Sequence, residues 1–215
     1  GFSREDQDAF ATHSVEKAQL AARTGAFDRE IVPLVLKEGE TSREIRTDEP
    51  VERARIEKIP LLRPAFREDG TITAASSSAL TDGASALLLM RESEAKKRGL
   101  SPRARIIGSS SFGVEPQWFT LAPIGAIRTL LNKVNWKVED VDLYEVNEAF
   151  AVVAMAAQRE LGIADHKLNV FGGACALGHP IGASGARLIT TLLNALEQKN
   201  QHRGIASLCI GGGEA

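Results

Sequence analysis

Phe171-Gly172-Gly173-Ala174-Cys175-Ala176-Leu177-Gly178-His179-Pro180-Ile181-Gly182-Ala183-Ser184-Gly185-Ala186-Arg187-Leu188 decides how this chain is read. Five glycines and four alanines surround one histidine, a composition that lets backbone pass close to backbone or to a ligand and holds His179 at a tight bend. Pro180 is a good first residue for a helix, and Ile181, Leu188, Ile189, Leu192 and Leu196 then recur at a helical period. The stretch therefore reads as a turn into a helix that starts at Pro180, with His179 among free N–H groups at its positive end. That position suits a group facing a developing negative charge. A plainer reading is a glycine-rich turn with a packed histidine. Two nucleotide patterns fail: no Lys-Ser/Thr follows the glycines, and Gly178, Gly182 and Gly185 are not spaced as Gly-x-Gly-x-x-Gly.

Working outward, 215 residues with 43% hydrophobic content are enough for one large or two small domains with a buried core. A net charge of −2, with the signs evenly mixed, leaves no basic face for nucleic acid and no polybasic membrane patch. No apolar run reaches the ~20 residues a membrane span requires. Cys175 and Cys209 are the only cysteines, a usage that points to a reducing compartment, read as the cytoplasm, rather than to a disulfide scaffold. Cys175, His179 and Cys209 lack the close pairing of a metal set, and no metal is expected. Gly1 is not an initiator methionine and no signal peptide is visible, so the chain is expected to start inside a longer gene product.

Ser3-Arg4-Glu5-Asp6 has the form of a capping box, and Phe10, Ala11, Val15, Ala18 and Ala21 continue one helical face until Gly25. Residues 30–35 suggest an edge strand broken by Pro33. From Lys37 to Arg55 charges dominate without periodicity, the pattern of an exposed excursion. Residues 56–66 regain apolar content but contain Pro60 and Pro64, which predicts an irregular packed segment. Ala84 to Met90 is a continuous apolar run suited to a strand buried on both faces. A helix at 92–98, a strand at 104–109, a helix at 123–133, a strand at 143–146, a helix at 149–161, the His179 turn with its helix, and a strand at 205–210 follow. This alternation argues for an α/β layer structure.

Two further stretches could carry chemistry. Asn147-Glu148-Ala149-Phe150-Ala151 directly follows the strand at 143–146, where α/β sheets place ligand-binding side chains; simple capping of the next helix by Asn147 is the structural alternative. Cys209-Ile210-Gly211-Gly212-Gly213 ends another strand in a glycine loop, or is a buried structural cysteine before a turn. In this order and context, Asn147-Glu148-Ala149-Phe150, Gly178-His179-Pro180 and Cys209-Ile210-Gly211 closely resemble the three C-terminal active-site motifs of the thiolases, the acyl-CoA C-acyltransferase family. The resemblance covers essentially the whole chain. Gly1 to Val35 looks like that family's Gly-x-Ser-Arg-x-x-Gln-Asp-x-Phe entry into the loop domain, and Leu62-Arg63-Pro64-Ala65-Phe66 through Gly83-Ala84 looks like its coenzyme A-binding segment. The fold so implied is α/β and thiolase-like, with layered helices and a mixed β-sheet, one of two family repeats plus a loop-rich subdomain. Residues 1–79 would be the coenzyme A-binding subdomain, N-terminally incomplete, and 80–215 the C-terminal repeat without its last strand.

The resemblance implies acyl transfer from a thioester to a nucleophilic cysteine, followed by formation or cleavage of a carbon–carbon bond with acetyl-CoA. Coenzyme A thioesters would be substrates, with no cofactor. His179 would activate the nucleophile and help hold a thioester oxygen, roles open to an imidazole. Cys209 would be the acid/base for the α-proton of acetyl-CoA. Asn147 would hold a water that with His179 forms one oxyanion hole, and the Gly211 N–H would serve the other. Phe66, Ala74, Ser78, Ala149 and Phe150 would touch coenzyme A, and Arg53 its nucleotide phosphate, with Arg55 nearly as good.

The family's nucleophile lies in a glycine-rich Cys-x-Ser-Gly motif that surrounds neither Cys175 nor Cys209, and Cys175 reads as packing. The chain is therefore expected to be the C-terminal part of a thiolase, partnered by a missing N-terminal half, inactive alone, and aggregation-prone through uncovered apolar faces and strand edges. At full length the family implies a homo-oligomer, a dimer or tetramer. An alternative of another class is a non-catalytic coenzyme A-binding or scaffold module that retains the fold. The related ketoacyl synthases use two histidines, whereas Cys209 stands where the second would be.

Overall fold

The computed structural model describes residues 1–39 and 41–215. Its first element, α1 (Arg4–Arg23), begins at the expected capping box: the Ser3 hydroxyl accepts from the Asp6 N–H at 3.0 Å, and the Asp6 carboxylate accepts from the Ser3 N–H at 3.0 Å. Two of the helix's orphan donors are thereby satisfied. Ala11, Val15, Ala18 and Ala21 form its buried face.

Two features differ next. The strand expected at 30–35 begins only after Pro33, as β1 (Leu34–Glu38), because proline offers no N–H to a ladder. The stretch from Lys37 to Arg55 is exposed as expected, but it is not without structure. It contains β2 (Thr41–Ile45), antiparallel to β1 from Leu34↔Ile45 to Glu38↔Thr41, and α2 (Glu49–Arg53). This hairpin lies on the surface with no fully buried face in β2, so hydrophobic alternation could not reveal it. Residues 56–61 form a 3₁₀ turn around Pro60, with Ile59 buried.

The strands expected at 84–90 and 104–109 are not formed among the described residues. Their apolar side chains face outward: Leu88 is 80% and Ile106 69% exposed. A strand needs a neighbour to satisfy its N–H and C=O groups, and neither segment has one here. Between them lies α3 (Glu92–Lys97), closed by Gly99 at φ +66°.

The layered part follows. Helix α4 (Ala122–Val134) ends at left-handed Asn135 and leads to β3 (Leu143–Val146), buried throughout. Then come α5 (Ala151–Leu161), the short α6 (Ala174–Leu177), α7 (Ser184–Gln198) and β4 (Gly204–Ser207). β4 runs parallel to β3, with Leu143 opposite Gly204 and Val146 opposite Ser207. Alternate β3 side chains enter two cores. Leu143 packs with Val15, Phe27, Phe171, Leu192 and Leu196 on the α1/α7 side, while Tyr144 and Val146 pack with Ile127, Leu131, Val153 and Ile205 on the α4/α5 side. Glu145 and Asn147 therefore share the face turned toward α7. Among the described residues, no helix is long and apolar enough to cross a membrane.

Candidate active site

Asn147 leaves the end of β3 with its N–H bonded to the Ser207 carbonyl at 2.9 Å, so the ladder continues one step beyond the strand. Its side chain is buried and its Nδ2 lies 3.3 Å from His179 Nε2. The cap alternative is excluded: α5 starts later, with Phe150 at its N-cap. The conformation of Asn147-Glu148 is locked from beneath. The buried Glu148 carboxylate accepts from Ser14 Oγ at 2.7 Å, Asn169 Nδ2 at 2.8 Å and the Cys175 N–H at 3.1 Å. Asn169, at φ +43°, also bonds both backbone groups of Val146. Gly173 lies so close to this carboxylate that a side chain there would collide with it.

His179 is held on three sides. Its N–H donates to the Ala79 carbonyl at 2.9 Å, its Nε2 meets Asn147, and its Nδ1 lies 2.5 Å from Ser184 Oγ. Helix α7 starts at Ser184, which corrects the expectation of a start at Pro180. The Pro180 carbonyl accepts the N–H groups of Ala183 and Ser184, so residues 180–183 make a separate turn before the helix. Ile181 points out at 70% exposure and is not part of the apolar stripe. The positive end of the helix is reached instead through Ser184.

This linkage sets the tautomer. The Ser184 hydroxyl donates to the Pro180 carbonyl at 3.1 Å, and a carbonyl can only accept. Ser184 Oγ is then the acceptor for His179 Nδ1–H, and Nε2 is left with its lone pair toward Asn147 Nδ2. Burial, reinforced by the charge of Arg187, holds the imidazole below its ordinary value of 6.5, so the ring is neutral near neutral pH. The other end of the amide, Asn147 Oδ1, is buried without a hydrogen-bond partner, an acceptor that water or a ligand would satisfy.

Cys209 leaves β4 on the strand beside Asn147, because Ser207 pairs with Val146. It is half-buried, and burial pushes its thiol up, so it retains its proton near neutral pH. Gly211 lies in an exposed turn bounded by the Ile210 N–H to Glu214 carbonyl bond at 2.7 Å. His179 and Asn147 are thus in direct contact, whereas Cys209 and Gly211 arrive from the adjoining strand end. The thiol of Cys175 is pushed up strongly by burial and by the Glu148 carboxylate, which fits its reading as packing. Next to the His179 turn, residues 81–85 and 180–183 line an open cleft of about 430 Å³.

Four of the proposed coenzyme A contacts gather in one place. The exposed Phe66 ring packs edge-on against Phe150 at 6.0 Å, and Ser78 donates to the Ala149 carbonyl through both its N–H and its hydroxyl, at 3.0 and 3.1 Å. Ala74 is exposed in the turn tied by Thr73 and Ser76. Arg53 stands apart on α2, exposed, with its guanidinium 3.2 Å from Glu49; Arg55 is also exposed.

Sequence reasoning passed over Ser184, Glu145 and Arg187. The signal was present in their spacing: Glu145 shares a β3 face with Asn147, and Arg187 lies one turn along α7 from Ser184.

Comparison with known proteins gives this geometry a family. Residues 1–93 match the family model for the thiolase N-terminal domain, and residues 100–215 the model for the thiolase C-terminal domain. Stretches of both domains are therefore represented, which corrects the expectation of a C-terminal part alone. The chain is 47% identical over 214 residues to cytosolic acetyl-CoA acetyltransferase of Mus musculus, covering 98% of this chain and 54% of that protein. Among solved structures, Bacillus anthracis acetyl-CoA acetyltransferase is similar with a TM-score of 0.95 at 44% identity. The Acat5 thiolase from Ascaris suum in complex with coenzyme A gives 0.88 at 40%. Each comparison covers 99% of this chain and 54% of the solved chain, so this chain spans about half the length of the relatives it matches. With the Asn147–His179 contact at the end of an α/β strand pair and both domain models matched, the chain belongs to the thiolase family.

Proposed function

We propose that this chain serves an acyl-CoA C-acyltransferase that cleaves a 3-ketoacyl-CoA with coenzyme A, or joins an acyl-CoA to acetyl-CoA. Coenzyme A thioesters are the substrates and no cofactor takes part. The single observation that carries this reading is the Asn147···His179···Ser184 chain, which leaves Nε2 unprotonated, with its lone pair against the Asn147 amide. In the proposed roles, His179 takes a proton from the attacking thiol; the resulting Nε2–H, with a water held by Asn147, then stabilises the thioester oxygen. Cys209, retained as a thiol, passes a proton to or from the α-carbon, and the Gly211 N–H supports the second oxyanion. Residues 1–79 supply the coenzyme A-binding subdomain and 80–215 the acid–base centre. Phe66, Ala74, Ser78, Ala149 and Phe150 contact the cofactor-like arm of the substrate, with Arg53 or Arg55 on its phosphate. The two reduced cysteines favour the cytoplasm, and we expect copies to associate as dimers or tetramers.

The test is thiolysis of acetoacetyl-CoA by the purified protein supplemented with the thiolase segment that carries the Cys-x-Ser-Gly motif, followed as loss of substrate. Turnover that falls about a hundred- to ten-thousand-fold in H179A supports the assignment. Equal turnover in H179A refutes it. A second reading, a non-catalytic coenzyme A-binding or scaffold module, is favoured by one observation: burial holds both cysteines as thiols, so neither is primed as a nucleophile. Calorimetric binding of coenzyme A without any turnover would select that reading.

A further inference from the structure

Beneath the Asn147–His179–Ser184 bridge lies a second contact between the same two elements. Glu145, on the β3 face that presents Asn147, is 1% exposed, and its carboxylate lies 3.5 Å from the guanidinium of Arg187, one helical turn beyond Ser184 on α7. The two elements thus meet in two rungs, Asn147–His179–Ser184 above and Glu145–Arg187 below. The lower rung is loosely made: both Glu145 carboxylate oxygens and both terminal Arg187 nitrogens are buried without a hydrogen-bond partner. A buried pair made this loosely adds little to stability.

We propose that Glu145 and Arg187 are positioning residues for His179: their contact holds α7 in register on β3, keeping Ser184 and Asn147 on opposite ring nitrogens. The proposal rests on the thiolase reading of His179. The charges of the pair bear on the ring as well. Burial pushes Glu145 up to about 8 against the attraction of Arg187, so near neutral pH the guanidinium charge is incompletely balanced and acts on His179. The other charged groups around the pair are Glu30, bonded to Thr191 and Asn194 of α7, Asp48 before α2, Glu148 after β3 and Lys17 of α1. Burial also pushes Glu30 and Asp48 upward, which weakens their compensation of Arg187.

The experiment reads the imidazole directly. Nitrogen-15 spectra of histidine-labelled protein, with His179 assigned by the signal lost in H179Q, report both tautomer and titration midpoint. The wild type is expected to show Nδ1–H and a midpoint below the ordinary histidine value. In R187Q the midpoint moves up and the tautomer bias weakens; R187K, which keeps the charge, brings the midpoint back down. Because R187Q leaves Glu145 unpaired and could fail to fold, E145L/R187M serves as the second variant, since replacing a buried pair by apolar residues of similar volume is commonly tolerated. An upward shift there supports the proposal. A folded E145L/R187M with the wild-type midpoint and tautomer overturns it, as does an R187K that titrates like R187Q. The spectra need no turnover. In the assay supplemented with the Cys-x-Ser-Gly segment, no turnover together with a shifted midpoint would sink the thiolase reading and leave the positioning role intact, and turnover with no shift would do the reverse.

Discussion

At His179 the two ring nitrogens have different partners, Asn147 at Nε2 and Ser184 at Nδ1. Removing the hydroxyl in S184A frees Nδ1 and lets the ring rotate or change tautomer. A misplacement on that scale costs about a hundredfold in turnover, so kcat in the acetoacetyl-CoA assay is expected to fall by up to about that factor with KM little changed. N147A removes the group opposite Nε2; in the role proposed for Asn147, the loss of one oxyanion-hole partner is typically about a hundred- to a thousandfold in kcat. The pH dependence follows from the direction of the His179 shift. Its folded value lies below 6.5, so the acid limb of activity is expected below pH 6.5. The stability sign agrees: between the folded value and 6.5 the unfolded chain binds more protons, so this residue's contribution weakens as pH falls through that window. Thermal melts of wild type and H179Q from pH 5 to 8 check it, and a gap between them that is flat across the range would contradict the shift.

Among the elements, local chemistry was legible at most ends that close within a few residues, the Pro180 turn before α7 being the exception. The Ser3–Asp6 box, the stop at Gly99 and the apolar faces of α1, α4 and α5 lie where their residues predict. What could not be read depends on partners far along the chain. The ladder of β1 and β2 has no buried stripe to announce it, and the apolar runs at 84–90 and 104–109 have no strand beside them. The motif residues Asn147 and His179 were legible, but the network that fixes them was not, since Ser14, Asn169 and Cys175 reach Glu148 from three separate segments. That network yields a stability prediction. E148A strands three buried donors, each costing about 1–3 kcal/mol when unpaired, which is a large part of the 5–15 kcal/mol that holds an ordinary domain folded. The variant is expected to show a greatly lowered denaturation midpoint or to be recovered unfolded. A midpoint matching the wild type would mean that the Asn147 turn is held by something other than Glu148.

For the molecule as a whole, the distribution of apolar surface is uneven. The β3–β4 pair is covered on both faces, by α1 and α7 on one side and by α4 and α5 on the other. In contrast Leu80, Leu88, Leu89, Ile106, Ile107 and Ile210 are exposed. Where such side chains adjoin one another they mark surfaces that associate, and the unpaired backbone of extended segments adds hydrogen-bonding groups that a second chain can meet. Sedimentation velocity over a range of concentrations should therefore reveal reversible association. The double variant L88K/I106K tests whether these segments carry it. Both side chains already face solvent, so each substitution should change stability by no more than about 0.5 kcal/mol, while the added charges oppose close apposition of copies. A shift toward the monomer with an unchanged melting temperature is the expected result. Undiminished association would place the contact elsewhere on the surface, and a large drop in melting temperature would mean that Leu88 and Ile106 are packed in solution rather than exposed.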